Sequence, residues 1–211
     1  MAEKTNLKNM EQKVNKLLSE DGLTELLLGI ILFSSSASFS GTISFTPFLG
    51  IYVVFMNRII EGFRNRFTYP RIGYVKLPDE DTKKIGVGIL TFMGTIMLIL
   101  AITLFIAYGR ITGHRIYQWM PTVMGLMLFG GLNYGYSKSR DKVNIIYIII
   151  ALTSSIAFSL MNFTDTRLGL QLYLLSMSGV FIVAGVIRFY AFTRKYPIQT
   201  NVLEEGTQED E

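Results

Sequence analysis

Residues 85–108, IGVGILTFMGTIMLILAITLFIAY, contain no Asp, Glu, Lys or Arg. A charge-free apolar run of about 18 residues or more is long enough for one helix to cross the ~30 Å hydrocarbon core of a bilayer. Within that core only helices and closed barrels satisfy their own backbone polar groups. Residues 22–57 follow the same pattern, with Glu25 as their one ionisable group. Half of the 211 residues are hydrophobic and 17% are charged, against roughly 25% charged in a soluble domain. This distribution points to lipid rather than to a large soluble core.

The apolar periodicity then divides the chain. Leu7, Met10, Val14, Leu17 and Leu18 recur among lysines and glutamates, which predicts an amphipathic cytoplasmic helix over residues 1–21. A first transmembrane hairpin is expected over 22–57, its legs short for full spans, its second leg able to continue through RIIEGFRNR, with a re-entrant hairpin as the alternative. A basic cytoplasmic loop over 58–84, a four-helix transmembrane region over 85–193 and an acidic tail over 194–211 complete the reading. The fold class is all-α, an integral membrane bundle of about six transmembrane helices plus the N-terminal amphipathic helix.

Sidedness follows from the cations. With both termini cytoplasmic, sixteen of the twenty lysines and arginines fall on that side, three fall outside (Arg110, Arg115, Arg167), and Arg188 lies within the last span. Such an asymmetry in short connections sets orientation in the plasma membrane. Four residues, Gly125, Gly131, Tyr136 and Arg140, recur 54 positions later as Gly179, Gly185, Tyr190 and Arg194. The echo fits an internal repeat of the kind found in transporters, or else only the frequency of glycines in apolar helices and of arginines at their cytoplasmic ends.

The segment TYPRIGYVK at 68–76 stands out from its surroundings. Arg71 lies between Pro70 and Gly73 with Tyr69 and Tyr74 beside it, and Arg66 and Lys76 flank the group. A guanidinium presents a planar fork of donors suited to phosphate or carboxylate. The segment is therefore expected to bind a phospholipid headgroup, a nucleotide-like ligand or an acidic surface of a cytoplasmic partner, or else to serve as a topology anchor with its tyrosines at the interface.

DGLTELLLG at 21–29, together with R-F-T-Y-P-R-I-G-Y-V-K at 66–76, resembles a group of small uncharacterised prokaryotic polytopic membrane proteins. These carry a D-G-L-x-[DE]-L start and an R-x-T-x-P-R-x-G-Y-V-K loop. The late helix from Gly179 to Pro197 is similar as well. The resemblance implies a prokaryotic membrane protein and carries no mechanism.

Within the spans three polar residues draw attention. Glu25 either caps its helix near Asp21 and Gly22 or pairs inside the bundle. Arg188 calls for a carboxylate partner at its depth, with Glu25 and Glu61 as the candidates. Asn133 is expected to line a polar cavity or bond to a neighbouring helix.

Catalytic chemistry finds little to work with. There is no cysteine, and the one histidine, His114, lacks a neighbouring carboxylate in sequence, so no catalytic residue, metal site or cofactor is expected. The leading expectation is a non-enzymatic accessory or scaffold protein that engages anionic lipid or a protein partner through its basic loop. The alternative is an oligomeric small-solute transporter or channel with Glu25, Asn133 and Arg188 near the path.

Overall fold

The computed structural model describes residues 12–39, 46–73, 82–108, 113–161, 163 and 165–197. Among them the regular structure is entirely helical. The helices are α1 (Gln12–Ser19), α2 (Leu23–Phe39), α3 (Thr46–Phe67), the single turn α4 (Tyr69–Ile72), α5 (Thr82–Tyr108), α6 (Gly113–Ser139), α7 (Val143–Leu160) and α8 (Thr166–Lys195). The acidic stretch that follows α8, and most of the N-terminal stripe, lie outside the described residues. The amphipathic reading is represented by α1, where Lys13 and Lys16 are exposed and Leu18 is buried.

The expectation of six spans is not met. Among the described residues only α7 and α8 are long and apolar enough to cross a membrane, and α1 with α2 adds a third if that pair, bent by 54°, acts as one broken span. The physical reasons differ from helix to helix. Alone, α2 has 17 residues, short of the ~20 needed. The second half of α3 carries Arg58, Glu61, Arg64 and Arg66, so it is the amphipathic extension foreseen for the second leg rather than lipid-spanning helix. Proline, glycines and polar residues dilute α6, and within α5 the apolar helix is Leu90–Thr103, below the length of a full span.

Packing follows small residues. The longest contact joins α2 to α8 through three glycines. A Cβ added at Gly29 would come within 2.9 Å of the Ile182 backbone, and one at Gly185 within 2.7 Å of the Leu26 backbone. Gly22, at φ +69°, adopts a left-handed conformation while lying against the Gly185 carbonyl, so both its backbone and its space exclude a side chain. Close approach at small residues is the usual way for helices to associate where lipid removes the hydrophobic drive. At the other pair, α6 with α7, Gly125 meets Ser155. The Thr122 N–H, displaced beside Pro121, donates to Ser159 Oγ at 3.2 Å, so a neighbouring helix satisfies a group beside the proline. The core between these pairs consists of Leu32, Tyr147, Leu170, Tyr173, Leu174, Met177 and Phe181.

The polarity of α7 is the reverse of that of a soluble helix. It buries Asn144, Tyr147, Ala151, Ser155 and Ser159 while exposing Ile145, Ile146, Ile149, Ile156 and Leu160. On α8 the outward face includes Leu168, Leu172, Leu175, Val183, Val186 and Ile187. Soluble monomers rarely leave apolar faces of that extent to water. The four-residue echo does not survive as a structural repeat: Gly125 and Gly185 are packed tightly, whereas Gly131 and Gly179 face open space.

These contacts predict unequal glycines. Gly185→Ala should lower the thermal unfolding midpoint in detergent, at a cost of about 1–3 kcal/mol from overpacking against the α2 backbone. Gly179→Ala, which meets no atom within 4 Å, should leave the midpoint within experimental error; equal losses for the two would refute this packing.

Candidate functional site

The chain turns sharply between α1 and α2. Asp21 Oδ1 accepts the Leu23 N–H at 3.1 Å, and the positive φ of Gly22 completes the corner. This is the local signature of an Asx turn opening a helix. The second Asp21 oxygen faces α3, where Arg64 Nε donates to it at 2.9 Å and the Thr68 hydroxyl approaches at 3.3 Å. Arg64 Nη2 also donates to the Leu18 carbonyl at 2.9 Å, capping the end of α1.

One turn along α2 lies Glu25, 6% exposed. Its Oε1 is 2.8 Å from Arg188 Nη1 of α8. Arg188 Nη2 donates to Asp141 Oδ2 and, at 2.8 Å, to the Ser19 carbonyl. One guanidinium thus bridges carboxylates from α2 and from the α6–α7 turn while holding the end of α1. Of the two partners considered from sequence, Glu25 is the one found, and Glu61 is exposed on α3.

Asp141 is the residue that sequence reasoning missed. It sits in the basic stretch SKSRDK, read only for its cations. The turn that aims it is specific: Arg140 ends α6 at φ +53°, a left-handed position typical after a helix C-terminus. Asp141 Oδ1 then accepts the Val143 N–H at 3.1 Å in the first turn of α7. A lone carboxylate two residues before a helix, among lysines and arginines, was the available signal. Partial burial works to raise its pKa, but hydrogen bonds from Arg188, the Val143 N–H and Ser19 outweigh it and hold the carboxyl below the usual aspartate range.

The conspicuous Arg71 has a structural task. Its Nη1 donates to the carbonyls of Thr193 and Tyr196 at 3.0 and 2.8 Å, and its Nε to Phe67 at 3.0 Å. It therefore caps the C-terminal end of α8, where carbonyls lack intrahelical partners. Pro70 lies in the first turn of α4, and Gly73, at φ +86°, ends it. Phe67 meets Phe189 edge-on at 5.9 Å between ring centres, joining the same elements. Tyr69 is half-buried and Arg66 is exposed, its guanidinium 5.9 Å from the Phe67 ring centre. Tyr74 and Lys76 lie outside the described residues. Asn133 is exposed on α6.

Beside the ion pairs lies a cavity of about 520 Å³ between α2 and α6. Asn15, Ser19, Thr24, Glu25, Arg64, Lys138, Ser139 and Asn144 contribute its polar wall, and Leu28, Met124, Met127, Leu128, Leu132 and Phe181 its apolar one. Among the described residues neither Glu25 Oε2 nor Arg188 Nη1 has a hydrogen-bond partner, although both are buried. Among the described residues no group of three or more His, Cys, Asp or Glu is placed to hold a metal ion.

Removing the guanidinium leaves two carboxylates facing each other, so Arg188→Gln should cost about 3–5 kcal/mol of stability. Asp141→Asn should cost less, because Arg188 keeps Glu25. A double-mutant cycle of thermal midpoints, showing coupling between positions 141 and 188, would check this.

The depressed pKa of Asp141 fixes the sign of its pH dependence. Its contribution is complete above the ordinary aspartate range, near about pH 4, and is lost as pH falls through the lower folded-state value. The gap in midpoint between wild type and Asp141→Asn should stay constant above that range and narrow below it.

No protein-family model, no curated protein and no solved structure matches this chain.

Proposed function

We propose that this chain is a membrane-embedded accessory or scaffold protein without an enzymatic role, held in a prokaryotic cytoplasmic membrane by α7, α8 and the broken α1–α2 pair. The observation that carries the reading is the position of its exposed cations relative to its apolar faces. Lys13, Lys16, Arg66, Arg140, Lys142, Arg194 and Lys195 are exposed at the end where α1, α3, α4, the α6–α7 turn and the end of α8 meet. The outward apolar faces of α7 and α8 extend away from that collar. A cationic collar beside apolar helices suits the negative cytoplasmic leaflet, where each Lys or Arg near the surface contributes about 1 kcal/mol.

In this reading α7 and α8 form a spanning hairpin whose ends, the α6–α7 turn and Lys195, lie on the cytoplasmic side, and the bent α1–α2 pair re-enters the membrane from that side. The partner is anionic lipid at the collar, and the contact surface shifts from Arg71, which is engaged with α8, to the exposed side of α3. There Arg58 and Arg66 alternate with exposed Phe55 and Phe63, the composition of an interfacial helix. The likeness of DGLTEL and the RFTYPRIGYVK segment to prokaryotic polytopic proteins supports the same setting. A second reading, an oligomeric small-solute transporter or channel, is favoured by the cavity beside Glu25.

Arg58→Gln with Arg66→Gln should lower retention of phosphatidylglycerol against phosphatidylcholine, measured by native mass spectrometry of the gently extracted protein, without shifting the thermal midpoint. Arg71→Gln should instead lower the midpoint. Equal retention of anionic lipid by wild type and the double variant would count against the collar as the lipid contact.

A further inference from the structure

The cavity is lined by one carboxylate, Glu25, and by the cations Arg64 and Lys138. Glu25 and Asp141 share a single guanidinium, that of Arg188, so the bridge carries one formal negative charge in excess. The other nearby pair, Arg64 with Asp21, is neutral by itself. Glu25 Oε2 is buried without a hydrogen-bond partner among the described residues, and Glu25 forms part of the cavity wall. A buried carboxylate oxygen lacking a donor is costly unless something supplies one.

We propose that this cavity binds one amphiphile whose head carries a primary ammonium group, a site that goes beyond the lipid contact of the basic collar. An ammonium supplies a positive charge and three donors, enough for Glu25 with Ser19 or Thr24 beside it. The opposite wall is formed by Met124, Met127, Leu128 and Leu132, and methionine adapts to flexible apolar chains. A volume of about 520 Å³ falls within the range of small-ligand pockets, about 300–1,000 Å³. Lys138 also lines the cavity, which suits a source whose ammonium is accompanied by phosphate. An aminophospholipid of the bilayer and a free long-chain amine share the ammonium chemistry.

The test uses the full-length protein in phosphatidylcholine nanodiscs, with phosphatidylethanolamine or dodecylamine added and retention read by native mass spectrometry. Wild type should retain one molecule of an amine-bearing amphiphile and no dodecanol. Glu25→Gln should weaken retention at least about tenfold, the scale of losing a buried charged hydrogen bond. Gly131→Leu should weaken it similarly: Gly131 lines the cavity and a Cβ there meets no atom within 4 Å, so the side chain fills the space and leaves the ion pairs untouched. Its thermal midpoint without ligand should match wild type, which keeps the test decisive if Glu25→Gln fails to fold. Retention of phosphatidylethanolamine alone identifies the lipid source, and retention of dodecylamine alone the free amine. No retention by a cooperatively melting wild type, or equal retention by Gly131→Leu, would overturn the proposal.

Discussion

A guanidinium held between two carboxylates determines where four helix ends meet. Arg188 reaches Glu25 on α2, Asp141 in the α6–α7 turn and the carbonyl of Ser19 at the end of α1. Desolvating three charged groups is expensive and is recovered only when the partners are held in place. The local turns provide that placement: Asp21 and Gly22 set the entry angle of α2, and the left-handed Arg140 presents Asp141. Around the bridge, Arg64 and Arg71 use their remaining donors on the ends of α1 and α8. The polar contacts are thereby concentrated at one end of the molecule, leaving the outer faces of α7 and α8 apolar.

This arrangement gives the quoted motifs a common explanation. Asp21, Gly22 and Glu25 of the DGLTELLLG stretch, Thr68 and Arg71 of the TYPRIG stretch, and Arg188 of the last helix are far apart in sequence and converge on one end of the fold. Arg71, the residue most suggestive of a ligand contact by its setting between proline and glycine, caps a helix. The cations exposed beside it are Arg66, Arg194 and Lys195.

Much of this was legible in the sequence. The all-helical character followed from apolar periodicity, although residues 58–67 of the expected basic loop are helical in α3, and Glu25 with Arg188 followed from the cost of a charge in an apolar run. The number of spans did not, because helicity and the capacity to cross a bilayer are different properties: α3 and α6 are long helices diluted by charge, glycine and polar residues. Asp141 was hidden because it lies in a turn whose backbone conformation, with Arg140 at positive φ, no residue pattern announces. The cavity was hidden for a similar reason. It depends on Gly131 of α6 facing Leu28 and Glu25 of α2, a juxtaposition of two helices that sequence spacing does not encode.

The account rests on Arg188 tying these helix ends together, and hydrogen–deuterium exchange of Arg188→Gln in lipid nanodiscs tests that most directly. Exchange reports local opening segment by segment. The variant is expected to exchange faster than wild type at residues 18–23, 140–143 and 188–196 together, while the opposite end around Thr122 and Ser159 keeps its protection. Faster exchange confined to residue 188 and its immediate neighbours, or spread evenly over all the helices, would contradict the account.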